Sequence, residues 1–438
     1  MTHPMAPTFP VVDLPHLADV GLPAFHEIRI RQPAEPALPD LAAAVTGALD
    51  GSAGLFDLTP GASVAVAVGS RGIARIDEIA RIAVGWLKSR GFAPFIVPGM
   101  GSHGGGTAQG QRGVLAALGV TEEAMGCEIR SSMETVTYGT IATGATCHFD
   151  ANAAGADGVL AINRVKAHTS YDRPVESGLT KMLAVGLGKA QGAAQVHVTG
   201  PRGLAEVLPL LAERVIERAP LRAGLAVLEN ADKGISHVEV AAPADFYATD
   251  ERLLVRSKAA MARLPFDRLD GLIIEEVGKD ISGSGIDPAI SGRTDIRGVE
   301  NPATPFIHKI VALRLSARTG GNGLGIGMAD FIPRRLAHGL DLKAMYMNSV
   351  TATIVEKSHI PIVLPDDRTC LRALMATCWA DGPPRICHIR SSLHLDRIRV
   401  TEALLPELRR SEAILEEGEA RNFEFDGDGN LEDLLGGT

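Results

Sequence analysis

Ser63-Val-Ala-Val-Ala-Val68 is followed by the turn Gly69-Ser-Arg-Gly72 and then by Ile76 to Ser89, whose apolar residues return every three or four positions. A six-residue run of small and β-branched apolar side chains suits a strand buried on both faces, and the periodic stretch suits an amphipathic helix closed by Gly91. The unit then repeats. Pro94 to Val97 reads as a strand, Pro98-Gly-Met-Gly-Ser-His103-Gly-Gly-Gly106 as a Gly-rich loop, and Gln111 to Leu118 as a helix. Successive strand–loop–helix units are the signature of an α/β sheet, and such sheets bind ligands outside the carboxyl ends of their strands.

Further along, β-formers around Gly139 and Gly144 predict a hairpin between Thr135 and Phe149, and Gly158 to Val165 reads as another buried strand that delivers a loop at His168. Helices are expected over Ser177 to Leu187, Gly203 to Arg218 and Asp250 to Ala262. Leu264-Pro-Phe-Asp267 suits a domain boundary. Beyond it, strands at Leu269 to Val277 and Lys309 to Leu315, a Gly-rich loop at Gly320 to Gly327, a helix from Ala329, and a strand–helix pair over Ile360 to Cys378 again read as α/β. We therefore expect two α/β domains, residues 1–264 and 265–438, with the active site in the cleft between them; 438 residues suit two cores better than one.

Composition narrows the function classes. A net charge of -9 and an aromatic content of 4% disfavour a nucleic-acid partner, which needs clustered cations and stacking platforms. A small molecule is the expected partner. The five cysteines, Cys127, Cys147, Cys370, Cys378 and Cys387, show no CxxC spacing, so neither a disulfide framework nor a zinc knuckle is expected. The first residues lack the basic and apolar regions of a signal peptide, and no apolar run is long enough to span a bilayer, so the expected setting is cytoplasmic with no membrane partner.

Several signatures are excluded by position. Around Gly188-Lys189 a phosphate-binding Walker loop would need Gly at 183 and Ser or Thr at 190, where Leu183 and Ala190 stand. His26-Glu27 fails the HExxH pattern at Ile30. Asp426-Gly-Asp-Gly-Asn430 lacks both the obligatory Gly and the terminal Glu of an EF-hand loop and reads as a turn.

The remaining candidates each carry two readings. His103, among small residues at a strand end, could exchange protons near neutrality or simply face solvent. His168 sits beside Arg164, Lys166 and Arg173, a cation cluster that calls for a balancing anion, yet a loop histidine bonded to backbone is equally compatible. Lys181, in Ser177-Gly-Leu-Thr-Lys-Met-Leu-Ala-Val-Gly-Leu-Gly188, is either a nucleophile made by burial or a snorkelling lysine. His197 alone defines no metal site. Gly278-Lys279-Asp-Ile-Ser-Gly-Ser-Gly285 offers amides, hydroxyls and an ammonium to an anion, or is a structural turn.

Taken together, the Met-Gly-Ser-His-Gly-Gly loop, the Ser-Gly-Leu-x-Lys-Met-Leu segment and the order Arg71, His103, His168, Lys181, His197 resemble the nickel-dependent lactate racemase family, in its branch of longer homologues. The resemblance implies a racemase or epimerase of a 2-hydroxy acid and a nickel-pincer nucleotide cofactor, a pyridinium mononucleotide that grips nickel through two sulfurs and a ring carbon. It implies that Lys181 tethers the cofactor, that His197 ligates the metal, that His103 and His168 act as paired acid and base, and that Arg71 holds the substrate carboxylate, with Lys279 a weaker second cation. Free imidazole titrates at about 6.5, which suits both directions of proton transfer. Enzymes that build the cofactor are implied as further partners.

The chain departs from the lactate-specific members. Gly72 stands where they carry Pro, and Thr169-Ser170-Tyr171 stand where they carry bulky aromatics. A larger, more polar pocket is expected, and with it a longer hydroxy acid such as a sugar acid. Two alternatives remain open at this point: another redox or elimination reaction with the same cofactor, and a nonenzymatic nickel or nucleotide carrier.

Overall fold

The computed structural model describes residues 8–33, 35–69, 73–168, 173–200, 202–231 and 233–435. The chain forms two compact units, and it crosses between them twice. A middle unit holds Pro33–Met261, while a terminal unit combines Met1–Gln32 with Ala262–Thr438. The expected single crossing near Leu264 assigned the first 32 residues to the first domain; they belong instead with the C-terminal part.

The reason lies in the first strand. The strands, in chain order, are β1 Phe25–Ile30, β2 Ser63–Val68, β3 Ala93–Pro98, β4 Thr135–Thr140, β5 Thr146–Asp150, β6 Gly158–Arg164, β7 Leu221–Glu229, β8 Ile235–Ala241, β9 Arg268–Val277, β10 Phe306–Leu315, β11 Phe331–Pro333, β12 Ile362–Leu364, β13 Ile386–Ser391, β14 His394–Thr401 and β15 Ile414–Arg421. β1 pairs antiparallel with β14 on one side and β15 on the other. Its Phe25, Ile28 and Ile30 are buried in the terminal unit.

The middle unit is the α/β fold expected from residues 63–118. Its five-stranded sheet has the order β3-β2-β6-β7-β8, parallel except for β8. Residues alternate between its faces. Val64, Val66 and Val68 pack with Leu160, Ile162 and the helices Leu41–Gly51 and Ile76–Ser89. Ala65 and Ala67 pack with Val159, Ala161 and the helices Leu208–Arg218 and Phe246–Ala259. Both faces are thus covered, as parallel sheets require. The chain leaves β2 toward β3 and returns on the other side as β6, so the order reverses at β2, where such sheets open a crevice for ligands.

The terminal unit is also α/β. Its eight-stranded sheet has the order β12-β11-β10-β9-β13-β14-β1-β15, with β9 to β13 running parallel and β14, β1 and β15 antiparallel. The helix expected from Ala329 starts later: Phe331–Pro333 is strand β11, and the helix is Arg334–His338. Among the described residues no helix is long and apolar enough to cross a membrane.

Candidate functional site

β3 and β6 flank β2, so the loops bearing His103 and His168 leave the sheet on either side of the strand at which the order reverses. Arg71, in the loop after β2, lies outside the described residues, as do Thr169, Ser170 and Tyr171. Just past that loop the amide of Ala74 donates to Oε1 of Glu229 at 2.6 Å, and Oε2 of Glu229 pairs with Arg164 at the end of β6. One part-buried carboxylate on β7 therefore anchors both loops. It also supplies part of the negative charge that the Arg164, Lys166 and Arg173 cluster called for.

The β6 loop is closed on itself by side chains. The Ser177 hydroxyl accepts from the Lys166 amide and donates to the Lys166 carbonyl, both at 2.6 Å, and Asn163 Nδ2 donates to the Gly178 carbonyl at 2.6 Å. Glu176, 1% exposed, sits at the centre. Its Oε2 accepts from the His168 amide, its Oε1 accepts from the Arg173 amide at 2.9 Å and from Lys258 Nζ at 2.6 Å, and its carbonyl accepts from Lys181 Nζ at 3.2 Å. The backbone of His168 and the amine of Lys181 are thus held by one residue.

Lys181 ends a single helical turn, Leu179–Lys181, that runs into a π-turn over Met182–Gly186, where one continuous helix was expected. Buried Asp250 caps that turn, accepting from the amides of Leu179 at 2.9 Å and Thr180 at 2.7 Å. Burial pushes its carboxyl up to about 7 against the opposing pull of those hydrogen bonds. Gly178, at φ +88°, is required here, because a Cβ would overlap the Asp250 carboxylate.

The His103 loop packs on the same π-turn, with Gly101 donating to the Gly186 carbonyl at 3.0 Å. His103 is half-buried, where full exposure was expected. Lys181 is half-buried too. The lysine that is 0% exposed is Lys189, which pairs with Asp150 at 2.8 Å. His197 is exposed at the end of the helix Lys189–His197.

Lys279 belongs to the terminal unit, where its ammonium donates to Asn348 Oδ1. The loop it begins uses its amides internally: Ile281 and Ser282 donate to the Gly278 carbonyl, Gly285 to Ser282, and Gly278 to Gly285. Four of the amides expected to face an anion are therefore already engaged within the loop. Among the described residues no three His, Cys, Asp or Glu side chains gather as a metal-holding group. A cavity of about 340 Å³ in the terminal unit is lined by Glu27, Arg29, Arg397, Arg399, Glu416 and Asp433, whose charges pair with one another.

Sequence reading missed Glu176, Glu229, Asp150, Asp250, Gln111 and Lys189. Glu176 had a usable signal, an acidic residue directly before the Ser-Gly-Leu-x-Lys segment. The others act through partners distant in sequence.

Fold and site together define an α/β protein with a candidate site at the carboxyl edge of the parallel sheet in its middle unit. No family profile and no curated protein sequence matches the chain. Among solved structures it is similar to the lactate racemase apoprotein from Thermoanaerobacterium thermosaccharolyticum, with a TM-score of 0.44 and 14% identity over 81% of this chain and 95% of that one.

Proposed function

We propose that the protein is a racemase or epimerase that inverts the hydroxyl-bearing C2 of a 2-hydroxy acid, working with a nickel-pincer nucleotide tethered to Lys181. The observation that carries this reading is the joint hold of Glu176 on the His168 loop and on the Lys181 amine. It supports an acid–base group and a tethering amine within one built cluster.

The residues fit such a group chemically. An amine converted to a thioamide keeps one N–H, which the Glu176 carbonyl that now accepts from Lys181 can still receive. His197, exposed on its helix, offers one imidazole that would serve as the protein's ligand to the nickel, whose other donors would be soft sulfur and carbon. When bound, the group supplies a hydride acceptor for a C–H bond that is too weakly acidic to lose a proton.

The chain's own residues then handle the proton. His103 and His168, leaving the sheet on opposite sides of β2, serve alternately as base toward the substrate hydroxyl and as acid for its return, one for each enantiomer. Arg71 grips the carboxylate. The polar run Thr169-Ser170-Tyr171 favours a longer, polyhydroxylated acid over lactate.

Protein produced alongside the cofactor-building enzymes should carry a cofactor-sized adduct on Lys181 and about one nickel per chain, read by intact mass, peptide mapping and metal analysis. An unmodified Lys181 under those conditions would sink the reading. In loaded protein, His103→Ala and His168→Ala should each lower interconversion in both directions by about 10²- to 10⁴-fold. Loss in one direction only would instead favour a one-base oxidation or elimination.

A further inference from the structure

Lys189 lies wholly inside the middle unit, 0% exposed, and adopts the left-handed region at φ +55°. A non-glycine residue rarely sits there, and it persists only where surrounding structure requires it. What requires it is visible in the partners of the ammonium. Nζ donates to the Pro98 carbonyl at 2.7 Å and to Gln111 Oε1 at 3.3 Å, and it pairs with Asp150 at 2.8 Å, an aspartate that is itself 0% exposed.

Gln111 passes the constraint on. Because its amide oxygen faces Lys189, its amide nitrogen must face the other way, and Nε2 donates to the carbonyls of Gly101 at 2.8 Å and His103 at 3.4 Å. The loop between β3 and the helix Ala108–Ala117 is thereby held at Pro98, Gly101 and His103. It needs such a hold, since Gly101, Gly104, Gly105 and Gly106 all take positive φ and offer no side chains of their own to pack. Asp150 lies against the buried ammonium as its counter-charge, while its Oδ1 accepts from the Ala153 amide at 2.8 Å.

We infer that Lys189 and Gln111, charge-balanced by Asp150, are positioning residues that fix the backbone of His103 for proton transfer. The inference rests on the acid–base role proposed for His103, but its structural half is separable. The ammonium orients the glutamine amide, the amide holds the two loop carbonyls, and the loop presents the imidazole.

Two variants test it. Gln111→Leu removes the donor to the loop and leaves the Lys189–Asp150 pair intact. Lys189→Met combined with Asp150→Asn removes the ammonium without stranding a buried charge and preserves a capping side chain. In each, amide hydrogen exchange of the peptide covering residues 99–107 in cofactor-free protein should rise by about tenfold or more, while that of β2 and β6 stays unchanged. The His103 ring, followed by NMR and assigned with His103→Gln, should shift its titration, and the His168 ring should not. In loaded protein kcat should fall by about tenfold with KM little changed, together with a displaced limb of the pH profile. Unchanged exchange and unchanged His103 titration in both variants would overturn the inference. A loosened loop and shifted titration in a protein without hydroxy-acid turnover would uphold the positioning and count against the proposed reaction alone.

Discussion

At the scale of single residues, the candidate site is governed by carboxylates that accept from backbone amides, some of them paired with a cation as well. Asp250 is the clearest case. Its folded-state pKa is raised from 3.8 to about 7 by burial, so between those values the folded chain keeps a proton that the unfolded chain has released. Stability from this group is fully present at the acid end of the window and is lost as pH rises through it, levelling off above about 7. Asp250→Asn carries no such titration, so chemical denaturation at pH 5 and pH 8 should show the wild type losing more stability than the variant over that interval. Equal losses would mean that the Asp250 carboxylate is ionised throughout. Peptide exchange over Leu179 to Lys181 should report the same change locally, because the two capped amides open that turn.

At the scale of elements, legibility followed locality. Strands Ser63–Val68 and Gly158–Arg164 and the helix Ile76–Ser89 could be read because their burial pattern is written in adjacent residues. β1 was not read as a strand, since Phe-His-Glu-Ile-Arg-Ile becomes one only between β14 and β15, at the far end of the chain. Expecting one helix over Ser177 to Leu187 missed the π-turn, and with it the true buried lysine. A turn closed by i→i+5 bonds slips the helical register, so Lys181 and Lys189 cannot be compared by counting along a regular helix. The order of Arg71, His103, His168, Lys181 and His197 was visible, whereas Asp150 and Gln111 were not, because they meet Lys189 only in three dimensions. Close packing around that π-turn gives a prediction at this scale. A Cβ on Gly186 would lie 2.7 Å from Met182 Sδ and 2.8 Å from the Gly99 carbonyl. The backbone contact cannot yield easily, so Gly186→Ala should destabilise the protein by about 1–3 kcal/mol and loosen the His103 loop, as read by denaturation and hydrogen exchange. A variant as stable as the wild type would show that the π-turn relaxes at little cost.

At the scale of the whole molecule, each unit owns its core. The buried clusters of the middle unit draw only on residues between Pro33 and Met261, and those of the terminal unit only on the two flanking segments. The terminal unit nevertheless depends on a strand made first and separated from the rest by the entire middle unit. Removing residues 1–32 would take Phe25, Ile28 and Ile30 out of its core and leave β14 and β15 without their shared partner. At about 1.5–3 kcal/mol for each fully buried large apolar side chain, the loss is comparable with the whole stability of a typical domain, roughly 5–15 kcal/mol. A chain starting at Pro33 should therefore lose the terminal unit while keeping the middle one. Hydrogen exchange should show β9, β10 and β13 unprotected and β2, β3 and β6 still protected, and calorimetry should retain one transition. Protection in both sheets would mean that β14 and β15 close on each other without β1; loss of both would mean that the middle unit depends on the terminal one.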